Sequence, residues 1–105
     1  MDDTFPGVGR RFIVDFGAWR TQLEFHSLMS LTYTGVKADG SLGESETVTI
    51  AISPVRDLLF LVTWQESDNT TVVHLEDYRD HQIVTHITGS DGSFRIFRGT
   101  MTEIL

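Results

Sequence analysis

A chain of 105 residues, 40% hydrophobic and 22% charged, is long enough for one hydrophobic core and too short for two, so residues 1–105 read as one domain. Fifteen acidic residues against eight basic ones leave a net charge of −7, which opposes nucleic-acid binding, because that rests on cationic contacts to phosphate. The absence of cysteine excludes disulfides, thiolate metal ligands and thiol nucleophiles together.

The start, Met1-Asp2-Asp3-Thr4, is acidic and no basic, then apolar, leader pattern follows it. With no cysteine to staple a secreted fold, a cytoplasmic protein is expected. The longest aliphatic run, residues 58–62, is far too short to span a bilayer, and no membrane partner is expected.

Short runs of alternating polarity follow one another, with Gly, Asp, Asn and Ser between them, the pattern of an all-β sandwich or barrel. Residues 10–16 form the first predicted strand, with Phe12, Val14 and Phe16 against Arg11, Ile13 and Asp15. Residues 20–26 follow with Leu23 and Phe25 on one face, although Trp19, Leu23 and His26 also suit one face of a short helix. Residues 28–34 carry Leu31 and Tyr33, and Asp39-Gly40 then supplies a tight turn. In residues 44–53, Val48, Ile50 and Ile52 alternate with Thr47, Thr49 and Ser53, and Pro54 is expected to break the strand. Residues 58–66 bring Phe60, Val62 and Trp64 to one face. Residues 70–78 and 82–88 follow, Asp91-Gly92 turns, and residues 93–103 complete eight strands.

Every connection is short, so consecutive strands are expected to be antiparallel neighbours. Closure into an eight-stranded antiparallel up-and-down β-barrel removes the exposed edges, and a flattened sandwich is the alternative. Such a barrel is filled by its own side chains or holds one small ligand.

The stretch Phe60-Leu61-Val62-Thr63-Trp64-Gln65-Glu66, the opening Phe12-Ile13-Val14-Asp15-Phe16, the strand Thr71-Val72-Val73-His74-Leu75 and the ending Asp91-Gly92-x-Phe94…Gly99-Thr100 together resemble the MoaF-like family of small calycin (lipocalin-like) barrels. The chain is also similar, more distantly, to bacterial phenolic acid decarboxylases. That likeness implies an acid–base role for Glu66, two residues after the strand tryptophan. The family's tyrosine pair falls on Val14 and Phe16, which lack hydroxyls, and its arginine falls near Leu42-Gly43-Glu44-Ser45. A carboxylate-gripping set is therefore missing.

Glu66 shares strand parity with Trp64, Val62 and Phe60. If that face is the interior, the carboxyl lies near one mouth beside an indole, where burial raises its pKa and suits it to acid–base work. The orientation of His74 depends on hairpin register. A three-residue turn at residues 68–70 sets His74 opposite Trp64; a two- or four-residue turn sets Val73 there and turns His74 outward. Tyr33, Trp64, Glu66 and His74 form the favoured group, with Phe16, Val14, His86 and Arg98 as further candidate ligand contacts. His74 and His86 sit on adjacent predicted strands near Glu66, yet nothing in their spacing demands a metal, and no metal or cofactor is expected.

These features point to a barrel that binds a small hydrophobic or aromatic molecule in an apolar, aromatic-rich cavity. A small lyase, isomerase or cyclase using Glu66 is the alternative, with His74 or Tyr33 as its partner. A structural or partner-binding module is the third reading. Ile13, Leu59 and Leu61 have the parity opposite to the presumed interior, and an outward apolar patch there predicts a homodimer.

Overall fold

The computed structural model describes residues 4–105, and the acidic start Met1-Asp2-Asp3 lies outside them. Eight strands follow in chain order: β1 (Arg11–Asp15), β2 (Arg20–Ser27), β3 (Ser30–Val36), β4 (Leu42–Arg56), β5 (Leu59–Gln65), β6 (Thr71–Asp77), β7 (Gln82–Thr88) and β8 (Phe94–Ile104). Each pairs antiparallel with the next, and β8 pairs back onto β1 from Arg11↔Ile104 to Asp15↔Thr100. The result is a closed up-and-down barrel in which each strand has a partner on both sides. No helix among the described residues is long and apolar enough to cross a membrane.

Alternation decides which side chains fill the interior. Phe12 and Val14 from β1, Leu23 and Phe25 from β2, Val48 and Ile50 from β4, and Phe60, Val62 and Trp64 from β5 are all buried. Residues 20–27, which also fitted a helical face, form a strand because Thr21, Leu23 and Phe25 all reach this core. Ile13, Leu59 and Leu61 take the outer parity and are half-buried.

Two departures from the sequence expectation concern Leu28 and Pro54. Leu28 is not in a strand. With Met29 it forms the tip of the β2–β3 hairpin, where both side chains are exposed. Pro54 does not end β4, which runs on to Arg56 with a register shift between Pro54 and Arg56. The β3 ladder stops at Thr49, so β4 beyond Ile50 has a neighbour on one side only, where a proline's missing donor costs little.

The barrel ends differ. At one end Phe5, from the segment before β1, lies across the opening as an aromatic plug. Its ring makes edge contacts with Phe25, Phe60 and Tyr78 at centroid distances of 5.0, 5.2 and 5.4 Å. Gly7 lets the chain turn there, because a Cβ at this position would stand 2.7 Å from the Phe5 ring. Among the described residues the other end has no such plug, and the candidate site lies there.

Candidate functional site

The open end is framed by the ends of β1, β3, β5 and β7 and the starts of β2, β4, β6 and β8. The β1–β2 turn is tight. Gly17 adopts φ +87°, its N–H bonds Asp15 Oδ1 at 2.8 Å, and Phe16 N–H bonds the Trp19 carbonyl at 3.0 Å. This sets Trp19 over Phe16 at a ring distance of 4.5 Å and against Phe97 at 5.3 Å. These three aromatics make one side of the rim.

Tyr33 and Trp64 make the other side, stacked at 6.0 Å with 20° between their planes. The Trp64 indole N–H donates to Glu66 Oε2 at 3.2 Å. The Tyr33 hydroxyl donates to Glu46 Oε1 at 2.6 Å, and Glu46 Oε2 accepts from the Ser67 N–H at 3.0 Å. The bond from Tyr33 holds Glu46 below the usual carboxylate range. Burial, then the bond to Glu46, pushes the Tyr33 phenol well above its usual value, so it stays protonated as a donor.

Inside this rim lies a cavity of about 110 Å³, lined chiefly by Trp19, Tyr33, Trp64, Glu66, His74 and Thr85, with Leu23, Val72 and Ile87 supplying apolar wall. Outside it, next to Tyr33, runs a groove formed by Glu44, Ser45, Glu46 and Ser67. On the opposite side, beyond Trp19 and Phe97, a second groove carries Arg95.

His74 faces inward by a register that the sequence left open. The β5–β6 turn is three residues long but starts one place earlier than residues 68–70. Glu66 N–H bonds the Thr70 carbonyl at 2.7 Å, and Asn69 takes φ +73°. Trp64 therefore faces Val72, and His74 faces Val62. The slip is two residues rather than one, so strand parity is kept. The imidazole is buried and meets the Trp64 indole edge-on at 4.7 Å.

Behind His74, Glu76 on the same strand and Tyr78 just past its end are two polar groups absent from the sequence reading. His74 Nδ1 lies 3.0 Å from Glu76 Oε2, and the Tyr78 hydroxyl donates to Glu76 Oε1 at 2.6 Å. Glu76 is wholly buried. Each oxygen of this buried carboxyl group has a polar partner within hydrogen-bond distance, which is the arrangement burial requires. The chain Tyr78–Glu76–His74 thus runs up the barrel from the aromatic plug to the cavity floor. The period-two spacing 74, 76, 78 was the available signal, masked because a glutamate in a strand reads as solvent-facing.

The remaining candidates separate. Phe16 is part of the rim. Val14 is buried in the core and is not among the cavity-lining residues. His86 pairs with Val73 on the outer face and packs against Phe94 at 5.8 Å, so it and His74 point to opposite sides of the sheet. Arg98 is exposed on the outer parity of β8. Among the described residues no group of three or more His, Asp or Glu is gathered closely enough to hold a metal ion.

Burial is the largest effect on Glu66 and raises its pKa. Asp68 and Glu46 push the same way, against the donors Trp64 and Tyr33. A carboxyl raised in the folded state favours folding below its unfolded value, and that contribution is lost as pH rises through the folded value. Wild type is therefore expected to lose stability relative to Glu66→Gln as pH rises from the ordinary glutamate range. Urea midpoints of the two proteins across a pH series check this, and parallel pH profiles would show that Glu66 titrates normally.

The fold and site define a closed up-and-down antiparallel barrel, plugged at one end and aromatic-walled at the other. The family model for MoaF-like proteins matches residues 8–102, and the chain belongs to the MoaF-like family. A crystal structure of a Burkholderia vietnamiensis protein, provisionally described as a beta-lactamase, superposes with a TM-score of 0.87. That pair shares 22% sequence identity over 94% of this chain and 96% of the other, a likeness of fold. No curated protein matches the chain.

Proposed function

We propose that this barrel binds a small, flat, uncharged or cationic molecule in the cavity between Trp64, His74 and Thr85. The observation that carries the reading is the unequal pair of barrel ends. Phe5 fills one end with its ring, while the other opens onto an apolar cavity with a stacked Tyr33–Trp64 wall. Its volume, about 110 Å³, approaches the engineered cavity of about 150 Å³ that admits benzene. Glu44, Glu46 and Glu66 stand on the approach beside Tyr33, so a carboxylate is disfavoured there. This separates the chain from the phenolic acid decarboxylases, whose substrates carry one.

Benzene titrated into the labelled protein is expected to shift the NMR signals of the Trp64 indole N–H, His74 and Ile87, and benzoate to leave them in place. Benzene signals spread over the surface, or absent at saturation, would remove the cavity from consideration.

One observation favours catalysis as the second reading. Glu66 stands at the cavity mouth with its pKa raised by burial, the direction that suits a carboxyl to acid–base work. The reaction class is then a proton transfer on a small bound substrate, in a lyase, isomerase or cyclase. Glu66→Gln retaining ligand affinity while losing turnover is the result that fits.

A homodimer and a cytoplasmic location belong to the same proposal. The outer face of β6 and β8 exposes Val73, Phe94 and Ile96, which supports self-association there. Sedimentation at rising concentration tests it, and a constant monomer mass contradicts it.

A further inference from the structure

Resting on the cavity reading, we infer that the ligand is a small flat nitrogen heterocycle, such as an azole or a lactam, that presents an N–H beside an acceptor atom to His74 and Thr85. Two facts of the cavity wall carry this. Thr85 is wholly buried and lines the cavity, yet its Oγ1 is a buried polar atom with no hydrogen-bond partner among the described residues. Buried hydroxyls are ordinarily bonded, and one left open in a cavity wall marks the place of something that bonds it.

His74 supplies the second half. It is paired directly with Thr85 across β6 and β7, and both side chains point inward. Directly opposed residues in a sheet hold their Cβ atoms about 5 Å apart. Nδ1 of His74 is committed to Glu76, and Glu76 is in turn fixed by Tyr78. With Tyr78 donating to one carboxylate oxygen, Nδ1–H donating to the other gives every buried proton an acceptor. Nε2 then carries a bare lone pair. The wall offers an acceptor at His74 Nε2 next to a hydroxyl donor at Thr85.

A ring with an N–H beside a ring nitrogen or carbonyl oxygen matches this edge. Its N–H donates to Nε2 and its neighbouring atom accepts from Thr85. The Trp64 ring borders the same cavity and provides a flat apolar surface for such a molecule. Glu76 and Tyr78 act only through His74, as positioning residues that hold its tautomer.

Pyrazole and isoxazole are matched probes, equal in size and differing in the N–H. Wild type and Thr85→Ser are expected to bind pyrazole about tenfold more tightly than isoxazole, the ratio typical of a buried hydrogen bond made or left unmade. Thr85→Val, which keeps the shape and removes the hydroxyl, is expected to narrow that ratio and to raise Tm by several degrees, because the open hydroxyl no longer opposes folding. Nitrogen NMR of His74 in the intact protein is expected to show Nδ1 protonated and Nε2 bare. Equal affinity for the two azoles, or benzene binding where neither azole does, overturns the donor–acceptor edge and leaves the apolar cavity standing. Failure of benzene and both azoles overturns the cavity reading as well. A ratio unchanged in Thr85→Val overturns the part assigned to Thr85.

Discussion

Glu76→Ala is expected to destabilise the barrel by about 3–5 kcal/mol, from two buried polar groups left without their acceptor, at about 1–3 kcal/mol each, together with the void that the side chain leaves. Glu76 is fully enclosed, and both carboxylate oxygens are engaged, at 3.0 Å by His74 and at 2.6 Å by Tyr78. Alanine leaves two buried polar groups without an acceptor and opens a void beside Phe60 and Ile83, its apolar cross-strand partners, neither of which is a polar substitute. Burial and the Glu76 charge hold the Tyr78 phenol far above its ordinary pKa, so Tyr78 has no ionised state with which to compensate. For a domain whose whole stability is about 5–15 kcal/mol, that is a large fraction. Glu76→Gln keeps the volume and one acceptor and is expected to lose less than half as much. Urea denaturation of the three proteins measures the difference. Losses below about 1 kcal/mol in Glu76→Ala would mean that the interior at this level is wet and the polar chain is solvated.

The contrast between Glu76 and the aromatic core shows which parts of the molecule were legible in the sequence. Period-two alternation of large apolar residues, as in Phe12-x-Val14 and Phe60-x-Val62-x-Trp64, has one physical solution, with that face turned to the core. Asp39-Gly40 and Asp91-Gly92 placed two turns, and Gly40 and Gly92 take the positive φ those turns require. Eight strands with short connections then leave closure as the natural remedy for their edges. Polar interior residues break the code. A glutamate in a strand reads as solvent-facing and a threonine carries no sign of its face, so Glu76 and Thr85 escaped notice, and His86 and Arg98 stood as further candidate contacts beside the favoured His74. Local turn chemistry set His74. The left-handed Asn69 closes a three-residue turn at Ser67, Asp68 and Asn69, and no hydrophobic pattern selects that frame over its neighbours. Phe5 was lost for another reason. A plug belongs to no strand, has no periodicity, and is fixed only by the ring contacts it makes after the barrel has closed.

Gly99→Ala is expected to be the most damaging small substitution in the chain, costing more than about 3 kcal/mol or preventing closure of the barrel altogether. A Cβ on Gly99 would stand 2.1 Å from the Asp15 carbonyl oxygen, 2.8 Å from its carbon and 3.0 Å from Phe16 Cδ1. The first two are backbone atoms and have no rotamer by which to retreat. Relief requires β1 to move away from β8, and β1 has only five residues with which to hold that seam. Opening it exposes two ladder edges and unseats Phe16, on which Trp19 rests at the cavity rim. The damage is therefore expected to reach the site, and any Gly99→Ala protein that folds should bind benzene more weakly. Gly35→Ala is the control, since a Cβ there meets nothing within 4 Å, and its thermal unfolding is expected to match wild type within a few degrees. Equal midpoints for the two alanine variants would show that the β1–β8 seam gives way freely. A selective loss at Gly99 would show that the barrel tolerates no side chain where its first and last strands meet.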